Sequence, residues 1–210
     1  MAVPALVLFD LDDVLAHYDH ATRVGALAER VGATTNAVQA ALFDSGLELD
    51  TDLGRYTPDQ HAVELAHRLG VPVSLADCID ARGAAMDIHH EVLRLAHAVS
   101  KRSRIAILTN NGVFLRDHLA AMCPPLFPLF AGRVFCSGQF GIAKPDPDIY
   151  LRCCAALDAS PAQTLFIDDK AANAAGARRA GLAAIHFTGA DALQRDLAVH
   201  GYDKETSHAL

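Results

Sequence analysis

Residues 5–15 read Ala-Leu-Val-Leu-Phe-Asp-Leu-Asp-Asp-Val-Leu, and the reading of this stretch decides the fold. Ala5 to Phe9 is an unbroken apolar run, the pattern of a strand buried on both faces. It passes directly into Asp10, with Asp12 and Asp13 just behind. Ligands bind at the carboxyl ends of strands in open α/β sheets, so carboxylates at such a tip build a site. Aspartates this close repel one another unless a cation lies between them. A hard divalent ion such as Mg2+ takes oxygen ligands and keeps positions free for phosphate.

Outward from this strand, the second half of the chain alternates strand and helix signals. Ile105–Leu108 is a short apolar run ending in Thr109-Asn110-Asn111-Gly112, and a helical pattern follows over Val113–Met122. Arg133–Cys136 reads as a weaker strand and Asp148–Leu157 as a helix. Thr164–Ile167 is a further strand ending in Asp168-Asp169, and an alanine-rich helix, Ala171–Ala180, is closed by Gly181. Leu182–Phe187 and a helix over Asp191–His200 complete the series. Strands alternating with helices predict a parallel sheet with right-handed crossovers.

Residues 16–97 differ. No strand pattern is evident there, and helical signals follow one another. Thr57-Pro58-Asp59-Gln60 is a helix start: a capping threonine, proline in the first turn, and glutamine where a capping box needs it. That helix runs through Val63, Leu65 and Leu69 to Gly70; Ser74 caps another; Asp87–Val99 carries Val92, Leu93, Leu95 and Ala96 on one face. The expected organisation is a Rossmann-like core from 1–15 and 98–202, a helical insertion from 16–97 over the strand tips, and a flexible polar tail over 203–210, fraying from Tyr202.

Composition narrows the function. A hydrophobic content of 51% over 210 residues supports a large core, and a net charge of −7 disfavours a nucleic-acid partner. Small phosphorylated ligands stay compatible, because the local field at a site outweighs net charge. The five cysteines form no CxxC pair, which disfavours a zinc site or a disulfide framework and points to the cytoplasm. No basic region precedes an apolar leader, and no apolar run approaches the ~20 residues that span a bilayer, so no membrane association is expected.

The polar tips Asp10/Asp12, Thr109/Asn110 and Asp168/Asp169 must share one edge of a parallel sheet. Gly141-Ile142-Ala143-Lys144-Pro145-Asp146 places a lysine in a loop, where Pro145 disfavours helix at Lys144. Carboxylates, a hydroxyl, an amide and an ammonium together can hold a phosphoryl group beside Mg2+.

These residues resemble the haloacid dehalogenase superfamily of phosphohydrolases. Asp10-Leu11-Asp12-Asp13-Val14-Leu15 matches its first motif, Leu108-Thr109-Asn110 the second, Lys144 in GIAKPDPDIY the third, and Phe166-Ile167-Asp168-Asp169 the fourth. The insertion sits where the superfamily carries its α-helical cap. The segment from Asp168 to Ala177 is also similar to the branch holding glucose-1-phosphate phosphatases and the N-terminal phosphatase domain of soluble epoxide hydrolases. The resemblance implies Asp10 as nucleophile and Asp12 as general acid and base. It implies Thr109, Lys144 and the backbone amide of Asn110 around the phosphoryl group. Mg2+ would be held by Asp10, the backbone carbonyl of Asp12, and Asp169, with Asp168 and Asn173 in support. The expected substrate is a small phosphorylated metabolite, and the expected state a monomer or homodimer.

One position departs from the pattern: Asp13 stands where glycine is more familiar. Alternatives on the same fold are a phosphomutase, a haloacid dehalogenase and a non-catalytic binding protein. Asp12 and the Asp168-Asp169 pair argue against the dehalogenase. The absence of lysine from residues 16–88 argues against a Schiff-base phosphonate hydrolase. His17, Tyr18 and His20 read as an exposed hinge, His89-His90 as helix surface, Arg55 as a solvated turn residue, and Cys153-Cys154 as packing.

Overall fold

The computed structural model describes residues 3–202, so the tail 203–210 lies outside the described residues. Five parallel strands form the sheet: β1 (Leu6–Phe9), β4 (Arg104–Thr109), β5 (Val134–Cys136), β6 (Thr164–Asp168) and β7 (Ala183–His186), in the order β5-β4-β1-β6-β7. β1 is central because it is apolar on both sides. Val7 and Phe9 face one cluster with Ile105, Ile107, Leu165 and Ile167; Leu6 and Leu8 face another with Ala106, Leu108 and Phe166. Phe9 lies opposite Ile107 in β4 and Ile167 in β6, so the three strands reach their polar tips together.

Helices cover both faces. The first apolar layer takes α6 (His90–Ser100), α7 (Val113–Met122) and α11 (Ala190–Val199); the second takes α9 (Pro147–Ala156) and α10 (Ala171–Arg179). All five cysteines are buried and free, with Cys153 and Cys154 in the second layer as expected. Among the described residues no helix is long and apolar enough to cross a membrane.

The insertion contains α1 (His20–Val31), α2 (Thr35–Val38) continuing into a π-helical stretch (Gln39–Asp44), α3 (Leu47–Asp52), α4 (Pro58–Leu69) and α5 (Leu75–Ala84). It has an apolar core of its own, including Leu27, Val38, Leu42, Leu47, Leu65 and Ala81. The capping box at Thr57 forms as read, Gly70 closes α4 in the left-handed conformation, and Ser74 caps α5. Val63 lies within α4 yet is 69% exposed, so the apolar face there is narrower than the pattern implied.

Three expectations are corrected. The stretch read as free of strands holds β2 (Ala16–Tyr18) and β3 (Met86–Ile88), an antiparallel ribbon joining the insertion to the sheet domain. The helix expected over Asp87–Val99 starts at His90 and buries Val92, Leu95, Ala96 and Val99 in the cluster of Val7 and Ile105. It therefore packs with the sheet, and the boundary expected at residue 97 moves back to the end of β3. Tyr202 does not fray: its hydroxyl bonds Ser103 Oγ, and its ring packs against the first layer.

Asp13 has a positive φ of 61°, the left-handed region that glycine occupies freely and aspartate tolerates better than most residues. Its carboxylate gives something in return, accepting from Tyr18 N at 3.3 Å and so tying the turn after β1 to β2.

Candidate active site

Backbone pairing places the first carboxylate. Asp10 N donates to Ile167 O at 2.8 Å, so the ladder between β1 and β6 extends one residue past the strand. Asp10 Oδ1 accepts from Leu11 N at 2.8 Å and from Lys144 Nζ at 2.8 Å. Lys144 Nζ also reaches Asp168 Oδ2 at 2.7 Å and Leu108 O at 3.1 Å. One ammonium, 1% exposed, thus ties together the tips of β1, β4 and β6.

The loop carrying Lys144 is held by Asn110. Asn110 Nδ2 donates to Lys144 O at 2.9 Å, and Lys144 N donates to Asn110 Oδ1 at 2.8 Å. The Asn110 side chain is thereby occupied, so what it can offer a phosphoryl group is its backbone N–H. On the far side, α10 makes room: a Cβ at Gly176 would stand 2.3 Å from Pro145 O. Small residues along α10 let the lysine loop approach the sheet this closely.

Asp168 is fully buried and fully engaged. Asn173 Nδ2 lies 3.0 Å from each of its oxygens, and Lys170 N donates to Oδ1 at 2.8 Å. Asn173 is itself anchored, its carbonyl accepting from Tyr150 Oη at 2.8 Å. Asp169 is the opposite case. Its carbonyl accepts from His186 Nε2 at 2.9 Å, but its buried Oδ1 has no partner among the described residues. Carboxylate oxygens of Asp10, Asp168 and Asp169 lie within 4.8 Å of one another. A buried, unpaired carboxylate oxygen beside two others is a donor set for a hard cation.

The electrostatics agree. Burial and then the Asp168 charge push Asp10 up to about 8, against the opposing pull of Lys144. Asp169 is likewise raised by burial and by Asp168. Burial also works against the charges of Asp168 and Lys144, but their mutual pairing outweighs it and holds both ionised. Lys144 therefore satisfies Asp168, and Asp10 and Asp169 are left as the carboxyls whose ionisation lacks compensation.

Asp12 points elsewhere. Its Oδ1 accepts from Arg82 Nη2 at 2.5 Å and its Oδ2 from Asn111 Nδ2 at 3.1 Å; Asn111 Nδ2 also reaches Thr109 Oγ1 at 2.8 Å. Burial favours the neutral acid, but the Arg82 charge outweighs it and holds the Asp12 carboxyl below the usual range. Its carboxylate stands outside the acidic cluster, leaving the backbone carbonyl as its route to a cation.

The structure thus brings Asp10, Thr109, Lys144, Asp168, Asp169 and Asn173 to one rim, as the sequence implied. It adds residues that reading missed. Asn111 had a signal, since it adjoins Thr109-Asn110. Arg82 had none: it is the one basic residue of α5, 1% exposed, with its guanidinium 4.3 Å from the centre of the Tyr18 ring. Tyr18 is therefore part of the wall beside Asp12. His17 stacks on His89 at 4.7 Å across the ribbon, and His89 precedes α6 where helix surface was expected. Arg55 pairs with Asp50 and is 64% exposed, as a solvated turn residue.

Deeper in the insertion, Arg23 pairs with Glu48, and Asp52 is pushed well up by burial and by the Glu48 charge. The insertion closes tightly on the core. Ser137 Oγ donates to Asp52 O at 2.6 Å, and a Cβ at Gly54, whose φ is 73°, would meet Gly138 O at 2.3 Å.

Comparison with known proteins gives a consistent pattern. The family model described as haloacid dehalogenase-like hydrolase matches residues 4–181. The chain is similar to the chloroplast flavin mononucleotide hydrolase 1 of Arabidopsis thaliana, 39% identical over 64 residues, covering 30% of this chain and 26% of that protein. It is also similar to bifunctional epoxide hydrolase 2 of Rattus norvegicus, 33% identical over 116 residues, covering 53% of this chain and 21% of that one. The chain thus spans under a third of either relative. Among solved structures, a HAD family enzyme from Bacteroides thetaiotaomicron in complex with magnesium and inorganic phosphate superposes with a TM-score of 0.73. That likeness covers 88% of this chain and 94% of that one at 19% identity, and it concerns the fold.

Proposed function

Since the chain belongs to the haloacid dehalogenase-like hydrolase family, we propose that it is a Mg2+-dependent phosphatase of a small phosphomonoester such as a sugar phosphate, acting through an aspartyl-phosphate at Asp10. One observation carries the reading: Lys144 bridges Asp10 and Asp168 while Asp169 keeps a buried oxygen unpaired beside them. Such a rim is incomplete without a cation, and the relative in complex with magnesium and phosphate supports Mg2+. Asp10, the backbone carbonyl of Asp12 and Asp169 would hold it, with Asp168 and Asn173 orienting the group. When bound, the ion supplies positive charge that lets Asp10 face an anionic phosphate.

The chain's own residues do the rest. The backbone and lysine contacts of Asp10 both fall on Oδ1, which leaves Oδ2 for the attack on phosphorus. As the phosphorus–ester oxygen bond breaks, Asp12, having first taken up a proton from solvent or from the monoanionic ester against the pull of Arg82, passes it to the leaving oxygen. Water then attacks the aspartyl-phosphate, returning its proton to Asp12 and releasing phosphate. Thr109 Oγ1, the Asn110 N–H and Lys144 hold the phosphoryl oxygens. The inserted helices act as a cap that excludes bulk water and selects the leaving group.

The test is phosphate release from a panel of phosphomonoesters with Mg2+ and with chelator. Turnover that needs Mg2+ and vanishes in Asp10→Asn is expected. Turnover that survives that substitution overturns Asp10 as nucleophile.

A further inference from the structure

The most unusual buried group outside the phosphoryl rim is the Arg82 guanidinium. It is 1% exposed, and among the described residues its only hydrogen bond is from Nη2 to Asp12 Oδ1 at 2.5 Å. Its Nε and Nη1 are buried with no partner among those residues. An arginine serving only to hold helices together would meet acceptors on its other nitrogens, because unpaired buried donors are costly. Here the fold carries two such donors and still delivers the third nitrogen to Asp12.

The guanidinium is also fixed from behind. It lies 4.3 Å over the Tyr18 ring of β2, in the ribbon that connects insertion and core. Its helix α5 is seated on α7, where a Cβ at Gly83 would stand 3.4 Å from Met122 Cα. Asp12 is therefore gripped from two sides. Arg82 of the insertion takes Oδ1, and Asn111 of the core takes Oδ2 while also reaching Thr109 Oγ1. The orientation of this carboxylate depends on where the insertion sits.

We infer that Arg82 is a positioning residue that aims Asp12 at the leaving oxygen, so that protonation of the leaving group depends on the seating of the inserted helices. This rests on the phosphatase reading above. The guanidinium hydrogen-bonds Asp12 and, among the described residues, neither Asp10, Thr109 nor Lys144, so its effect passes through Asp12. It must therefore matter most for esters whose leaving oxygen needs a proton, and little for those that leave as stable anions. General acids contribute on the order of 10²–10⁴-fold, so a mispositioned one has a large range over which to fail.

The experiment compares kcat on p-nitrophenyl phosphate, which needs little protonation, with kcat on glycerol 2-phosphate, an alkyl ester. The proteins are wild type, Asp10→Asn, Asp12→Asn, Arg82→Gln, Arg82→Lys and the double variant Asp12→Asn/Arg82→Gln. Arg82→Gln is expected to lower the alkyl-to-aryl ratio at least about tenfold, with Arg82→Lys recovering part of it through charge without the planar fork. In the Asp12→Asn background, Arg82→Gln is expected to change the ratio no further, since both act through one group. Thermal unfolding confirms that each variant is folded; should the glutamine variant not fold, the lysine variant carries the comparison. A ratio within twofold of wild type in folded Arg82→Gln overturns the inference, as does an equal Arg82→Gln effect with and without Asp12; where only Arg82→Lys folds, a ratio within twofold of wild type in that variant overturns it. Wild-type turnover lost in Asp10→Asn, together with an unchanged ratio, removes only this inference. No wild-type turnover of either ester, or turnover retained in Asp10→Asn, removes the phosphatase reading and this inference with it.

Discussion

Replacing Lys144 by methionine keeps most of the side-chain volume and removes the charge. The ammonium contacts Asp10 at 2.8 Å, Asp168 at 2.7 Å and Leu108 O at 3.1 Å. Its loss leaves two buried carboxylates facing each other, and removing one partner of a buried ion pair costs about 3–5 kcal/mol. In a domain of this size that is a fall in Tm on the order of 10 °C. The pH dependence fixes the cause. Without Lys144 both carboxyls sit above their unfolded values, so the stability they contribute is present in acid and lost as pH rises through the raised pKa values. The deficit against wild type is therefore expected to be smaller at pH 5 than at pH 8, and Mg2+ is expected to restore part of it at pH 8. Urea unfolding of both proteins at the two pH values, with and without Mg2+, measures this. A deficit below about 1 kcal/mol at pH 8, or one that grows on acidification, refutes the reasoning.

Four further outcomes follow from particular residues. Asp10, raised to about 8, holds a proton that a divalent cation must displace, so apparent Mg2+ affinity is expected to rise up to about tenfold per pH unit between pH 5 and 8. Calorimetric titration at three pH values checks it; constant affinity contradicts it. Asp12 and Asp168, held low by Arg82 and Lys144, work in the other direction: their stabilisation is complete above about pH 4 and is lost below it. Gly54→Ala places a methyl group 2.3 Å from a backbone oxygen at a positive φ. It is expected to cost at least about 1–3 kcal/mol or to unseat the insertion, seen as faster proteolysis between residues 16 and 89, whereas a wild-type pattern contradicts the tight seam. Thr57→Ala removes the cap of α4 and is expected to cost about 1 kcal/mol by thermal unfolding, with activity retained in the folded protein.

Much of this was legible in the sequence because its signals were local or covalently ordered. The apolar run before Asp10, the identical bounds of the helix at Val113–Met122, and Gly181 after the alanine-rich helix need only neighbours along the chain. The strand tips could be placed on one rim because parallel topology forces it. What escaped depends on partners distant in sequence. β2 and β3 have three residues each and exist because Ala16 meets Ile88 and Tyr18 meets Met86; neither segment shows a strand pattern alone. The apolar face of α6 was visible, but a face does not say whether it meets the sheet or the other helices. Arg82 was illegible for the same reason, since a helix pattern cannot show that one cation is buried against an aspartate 70 positions away.

Covalent phosphorylation of Asp10 is the central step, and rapid acid quenching tests it most directly. Wild-type protein mixed with Mg2+ and a phosphoryl-labelled ester, stopped within a turnover and digested, is expected to carry the label on the peptide containing Asp10. The label should be absent when Mg2+ is chelated or Asp10 is replaced by asparagine. Steady Mg2+-dependent turnover with no label on that peptide at any quench time, or label on another residue, would contradict the account.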